Sequence, residues 1–105
     1  MKDSEKLARI FKVLSVEKRV RMIGLLKHRS LCVNALARAL EITPAAVSQH
    51  LRVLKDLGLV RGQRRGYRIH YYLNQERLAG YRDLISAQLG EAFLPSTTEP
   101  AGETS

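Results

Sequence analysis

Two groups of side chains in this chain have types and spacing that could do chemistry. The first is a row of amides, hydroxyls and cations: Ser48, Gln49, Arg52 and Lys55 within "VSQHLRVLKDLGLV", then Arg61, Arg64, Arg65 and Arg68 just beyond it. The second is Cys32 together with His28, His50 and His70. Catalysis would require an acid, base or nucleophile converging on one point, and these four residues sit on separate elements without a recognisable pairing, so the chain reads as no enzyme. Zinc or arsenite capture wants three or four soft or imidazole ligands, whereas "CVN" offers an amide two residues after the only cysteine. Residues 74–93 contain no histidine, and Glu76, Asp83 and Glu91 alone make a poor zinc site. No metal and no cofactor are expected.

The bulk properties favour the first group. Lysine and arginine number 18 against 10 acidic residues, a net charge of +8, and the tail after residue 95 holds glutamates but no base. A nucleic acid or an anionic membrane surface is the natural partner for such a balance. The apolar runs fall far short of the roughly 20 residues that cross a bilayer, and no basic-then-apolar leader opens the chain, so a cytoplasmic protein with no membrane partner is expected. One cysteine excludes an intrachain disulfide framework and suits a reducing compartment. A chain of 105 residues is one small domain that buries only a modest share of its surface, which leaves room for a partner subunit to add stability.

Elements must then position the row of cations. Leu7, Ile10, Phe11 and Leu14 form a helical stripe that Asp3 or Ser4 could cap. Ser15 could cap a second helix with Val20, Ile23, Leu25 and Leu26 inward. "CVNALARAL" turns Val33, Leu36, Ala37 and Leu40 to one face, and after Glu41-Ile42 a new helix restarts at Thr43, a good N-cap, and Pro44, favoured at the first helical position. Two short helices joined by so short a turn form a helix-turn-helix, and Gly58 closes the second. The period then changes to alternation, with Tyr67, Ile69, Tyr71 and Leu73 opposite Arg68, His70 and Tyr72. Leu59-Val60 supply the partner strand and "GQRRG" the connection. A last helix over about 75–93 aligns Leu78, Tyr81, Ile85, Leu89 and Phe93. The expected fold is mainly α with a small β-hairpin, residues 1–94 forming the domain and residues 95–105 a disordered tail.

At about 100° per residue, Val47, Leu51 and Leu54 share one arc of the second helix of the pair, leaving Ala45, Ser48, Gln49, Arg52 and Lys55 on the other. For an isolated helix this is the solvated side. Beside a hairpin carrying four arginines it is a surface shaped for the major groove: short side chains let the backbone approach, Gln49 can read adenine and Ser48 several bases. Arg52, Lys55 and the hairpin arginines then meet phosphates. Thr43 and Ala45 lie at the same end. His50 borders the apolar arc as a packing residue or phosphate contact, His70 faces outward on the wing where it could approach phosphate, and His28 ends a helix in a capping or solvent role.

The order helix, helix, helix-turn-helix, arginine hairpin resembles the winged-helix repressors of the ArsR family. The stretches that carry it are "FKVLSVEKRVRMIGLL", "LCVNALARAL" and "VSQHLRVLKDLGLVRGQRRGYRIHYYL", about residues 7 to 73. The resemblance implies a winged helix-turn-helix, a homodimer joined by its first and last helices, and double-stranded DNA as partner. Leu7, Ile10, Phe11, Leu14, Leu78, Tyr81, Ile85 and Leu89 would then form the subunit contact, with ordinary intrachain packing as the alternative. Metal-binding members often carry a CxC pair on the third helix, and the second thiolate is missing here. Cys32 stays open as a redox or electrophile sensor or a buried, inert thiol. Glu41 stands where many relatives place glycine. The inducer is not legible.

Overall fold

A computed structural model describes residues 2–93. The described residues form five helices, α1 (Asp3–Leu14), α2 (Glu17–Leu26), α3 (Val33–Leu40), α4 (Pro44–Asp56) and α5 (Gln75–Leu89), with a three-stranded antiparallel sheet, and a 3-10 turn (Glu91–Phe93) follows α5. The strands are β1 (Leu31–Cys32), β2 (Val60–Arg65) and β3 (Arg68–Leu73), in the order β1-β3-β2. The architecture is a winged helix-turn-helix: α3 and α4 are the pair, and β2 and β3 are the wing. The expected tail, residues 95–105, lies outside the described residues.

The core gathers Ile10, Met22, Leu36, Leu40, Val47, Leu51, Leu54 and Leu59, all essentially inaccessible. The arc read for α4 is the one it buries. On α2 Met22 and Leu26 are buried and the expected Ile23 and Leu25 pack partly buried against the core, while Val20 is 50% exposed. Met22 and Leu26 are four apart and stack on one face, which Val20 does not share.

Both ends of α4 are made by local chemistry. Thr43 Oγ1 accepts from the Ala46 N–H at 3.1 Å, and Pro44 follows in the first turn. At the other end Gly58 takes φ +75°, its N–H bonding the Lys55 carbonyl at 2.8 Å while Leu59 bonds Leu54 at 3.0 Å, the paired closure of a Schellman motif. The end of α3 repeats this pattern, Glu41 bonding Arg38 at 3.3 Å and Ile42 bonding Ala37 at 3.2 Å, but its left-handed residue is Glu41 at φ +57°. An L side chain there costs about 1–2 kcal/mol that glycine avoids. The tight turn between α3 and α4 is therefore held under backbone strain.

Several expected boundaries move. Lys2, not Asp3 or Ser4, is the N-cap of α1, and the Glu5 carboxylate accepts from its N–H at 3.1 Å. Ser15 closes α1 by donating to the Lys12 carbonyl at 2.7 Å, leaving Val16 as the N-cap of α2. Strand β1 was not expected: two residues become a strand only because β3 lies beside them, pairing Leu31 with Tyr71 and Cys32 with His70. The hairpin turn is tighter than "GQRRG". The ladder runs to the Arg65–Arg68 pair, and Gly66, at φ +63°, and Tyr67 make the connection. Gly90 ends α5 at φ +92°, before the expected residue 93.

Candidate nucleic-acid interface

Helix α4 has its core arc pressed on α3 and its other side open. Thr43, Ala45, Ser48, Gln49, Arg52 and Lys55 are all exposed. Thr43 uses an acceptor lone pair for the cap, so its hydroxyl proton remains available to a phosphate. Near the amino end the small Ala45 and Ser48 leave the backbone approachable, and the helix dipole presents its positive end there.

On the wing, register decides where each arginine points. Cross-strand partners share a face and successive residues alternate. Arg64, opposite Ile69, lies on one face of the sheet, while Arg61, opposite Tyr72, and the Arg65–Arg68 pair lie on the other. Three of the four arginines thus share one face of the wing, and Arg64 stands alone on the other. Arg64 and Arg61 rim an open cleft of about 500 Å³ that Lys55 and Arg77 also line. No side-chain hydrogen bond or ion pair occupies Lys55, Arg61 or Arg64 among the described residues. Cations left without partners around a concave surface attract a polyanion. Arg77, absent from the expected contacts, sits in the first turn of α5; its position directly after the wing was the available signal.

Of its two expected roles, packing residue or phosphate contact, His50 has surroundings that match the first. It is half-buried, and its Nδ1 accepts from Arg19 Nε at 3.2 Å. Burial first, and the Arg19 charge second, hold its pKa below the ordinary imidazole value. The ring is therefore neutral and tied to α2. His28 is exposed just past α2. His70 Nδ1 is buried with no hydrogen-bond partner, on the sheet position opposite Cys32.

Cys32 is buried at the N-cap of α3. Its pKa is lowered, chiefly by the Ala35 N–H at the helix start, with burial opposing and the Asn34 N–H and the Arg68 guanidinium assisting. Arg68 Nη1 stands 4.0 Å from the sulfur. No group of three or more His, Cys, Asp or Glu side chains that could hold a metal occurs among the described residues.

The residues expected at a subunit contact divide in two. Leu7 and Ile10 are already buried within the chain, and Leu14, Leu78 and Tyr81 pack partly against its core. Ile85 is half-buried. Phe11, Leu89 and Phe93 remain 37%, 47% and 58% exposed, and the two phenylalanine rings meet with centroids 6.0 Å apart, tilted by 53°. Phe93 belongs to this apolar surface although it lies beyond α5. No helix among the described residues is long and apolar enough to cross a membrane.

Comparisons with known proteins agree with this geometry. The family model described as "Bacterial regulatory protein, arsR family" matches residues 17–61, from α2 through α4 to the first wing strand. The cadmium resistance transcriptional regulatory protein CadC homolog of Staphylococcus aureus is 36% identical over 73 residues, 69% of this chain and 60% of that protein. The chain spans less than two thirds of the length of the curated relatives it matches first. A crystal structure of a possible transcriptional regulator for arsenical resistance is 36% identical with a TM-score of 0.67, covering 72% of this chain and 79% of that one. The solution structure of the homodimeric winged helix-turn-helix DNA-binding domain Mb0332 of Mycobacterium bovis shares the fold, at 24% identity, a TM-score of 0.65 and 88% coverage of each chain.

Proposed function

The chain belongs to the arsR family of bacterial regulatory proteins, and from that premise we propose that it is a homodimeric, sequence-specific DNA-binding repressor acting in the cytoplasm. Ser48 and Gln49 read base edges in the major groove, Arg52 and Lys55 hold phosphates beside them, and the wing arginines grip flanking backbone. The observation that carries this reading is the open side of α4 ending against a wing cleft whose Lys55, Arg61 and Arg64 have no side-chain partners among the described residues. Family membership in transcriptional regulation, and the absence of a converging catalytic set in this sequence, support a regulator and not an enzyme.

Pairing through the exposed Phe11–Phe93 surface and Leu89, continuous with α1 and α5, would double the reading surface. The homodimeric state of the Mycobacterium bovis domain supports that arrangement. Two recognition helices then enter successive major grooves about 34 Å apart, and the bound dimer blocks polymerase.

The cadmium and arsenical relatives raise the question of the signal. This chain has one cysteine, so a CxC chelate cannot form on α3. A thiol-responsive reading of Cys32 is the second possibility, favoured by the helix N–H groups and Arg68 that stabilise its thiolate. Selection of genomic fragments by the purified protein, repeated with zinc, arsenite and an oxidant, tests both. An enriched inverted repeat supports the repressor, and release by one additive names the signal class. Fragments bound without sequence preference would instead point to a nonspecific nucleic-acid-binding protein.

A further inference from the structure

Arg19 lies outside the DNA-facing surface, yet it touches the two helices that matter most to the proposed function. From the third position of α2 its guanidinium donates through Nη1 to the Val13 carbonyl at 3.1 Å and through Nε to His50 Nδ1 at 3.2 Å. Val13 is in the last turn of α1, where the final carbonyls have no partner inside the helix and carry the negative end of the dipole. His50 is in the middle of α4, one residue after Gln49. One planar, rigid fork thus spans from the end of α1 to the centre of the reading helix, although Arg19 and His50 stand 31 residues apart in sequence.

The bond also fixes the chemistry of His50. A neutral imidazole that accepts at Nδ1 must carry its proton on Nε2, so the ring offers a single uncharged donor. Protonation of Nδ1 removes the acceptor and places two cations side by side. The surroundings reinforce this. At its far end α4 meets α5, whose Arg77 and Tyr81 bond the Leu57 carbonyl. Of the elements that pack along it, α2, α3 and β2, α2 supplies Arg19 itself. Its Lys18 donates to the Leu40 carbonyl, its Arg21 to the Ala39 carbonyl, and Glu17 is exposed. From α3 come Arg38 and the terminal Glu41, and from β2 Arg61, Arg64 and Arg65, all exposed. On α4, Arg52, Lys55 and Asp56 are exposed. Arg19 is the charged group whose field registers at His50.

We propose that Arg19 is a positioning residue for DNA reading, which sets the rotation of α4 against α1 and α2 by bonding the neutral, Nε2-protonated form of His50. The proposal rests on α4 being the reading helix. It follows that a proton on His50 uncouples α4 from the end of α1 and weakens DNA binding, and that a displacement of α1 is passed to Gln49 through this guanidinium.

The test uses fluorescence anisotropy with a labelled duplex selected from genomic fragments by the wild-type protein. Arg19→Gln removes the guanidinium bonds to Val13 and His50 and should weaken binding about tenfold, with the salt slope unchanged. Arg19→Lys should not rescue it, because one ammonium cannot span both acceptors. His50→Gln keeps an oxygen acceptor for Arg19, so it should hold near wild-type affinity at neutral pH while losing the fall in affinity expected of the wild type as pH drops below the ordinary imidazole value. Circular dichroism and thermal melts establish that each variant is folded.

A slope reduced by about one in Arg19→Gln would make Arg19 a phosphate contact and overturn the proposal. So would a wild-type affinity that rises on acidification relative to His50→Gln, because His50 would then act as a cation on phosphate. Nitrogen NMR of the His50 ring decides the coupling without DNA. The Nε2–H tautomer should dominate in the wild type and give way to a mixture in Arg19→Gln. A ring indifferent to that substitution sinks the proposal even if the protein binds DNA, and a wild type that ignores every duplex sinks the DNA reading while leaving this coupling to the NMR result.

Discussion

Tyr81 Oη donates a 2.6 Å hydrogen bond to the carbonyl of Leu57, the residue that caps the C-terminus of α4. Arg77 Nη1 reaches the same oxygen at 3.5 Å, so α5 holds the end of α4 by two side chains one turn apart. Tyr81→Phe removes the shorter bond and should cost about 1 kcal/mol, a fall in Tm of several degrees in a thermal melt. An unchanged Tm would mean that Arg77 alone satisfies the carbonyl.

Glu41 and Gly58 end successive helices with the same pair of backbone bonds, and Glu41 is the one with a side chain in the left-handed region. Glu41→Gly should therefore stabilise the fold by about 1 kcal/mol, after the loss of unfolded-state order is counted. Gly58→Ala should do the reverse, since its new Cβ would also stand 3.0 Å from the Arg77 guanidinium carbon. Chemical denaturation of the two variants, read at constant slope, checks the opposed signs.

Gln49 and Arg65 are assigned different work, and salt separates them. Arg65→Ala should weaken binding to every duplex and lower the slope of log affinity against log salt by about one, whereas Gln49→Ala should cost about 1–3 kcal/mol on the preferred sequence only. Titrations of both variants on preferred and scrambled duplexes provide the comparison. Uniform effects from both would remove the division between reading and gripping.

The Cys32 thiol is shifted downward, first by the Ala35 N–H. The folded pKa lies below the unfolded one, so the stability this group contributes is present above the unfolded value and is lost as pH falls through the folded value. Ultraviolet thiolate absorbance should titrate below the range of a free cysteine, and Arg68→Gln should move the curve only part of the way back, because the guanidinium ranks behind the helix N–H. A titration at or above the free value would leave Cys32 an ordinary buried thiol.

Much of this was legible because it was local. Thr43, Pro44 and Gly58 announce the ends of α4 through the chemistry of a few neighbouring backbone groups, and Val47, Leu51 and Leu54 mark its inner face by spacing alone. What depended on partners distant in sequence was not legible. Strand β1 exists only beside β3, and the split of the wing arginines follows from the Arg64–Ile69 and Arg61–Tyr72 register. The bond from Arg19 to His50 joins two helices whose approach no periodicity encodes. Leu7 and Ile10 could not be told from interface residues, because a helical stripe looks the same whether its own core or a second chain covers it.

The account turns on two copies presenting α4 and the wing to one duplex. Sedimentation velocity of the protein with a labelled duplex at low salt, compared with Phe11→Asp, measures this directly. Two chains per duplex for the wild type, with loss of both pairing and tight binding in Phe11→Asp, is the result the account predicts. A monomer that leaves the duplex sedimenting unchanged would contradict it.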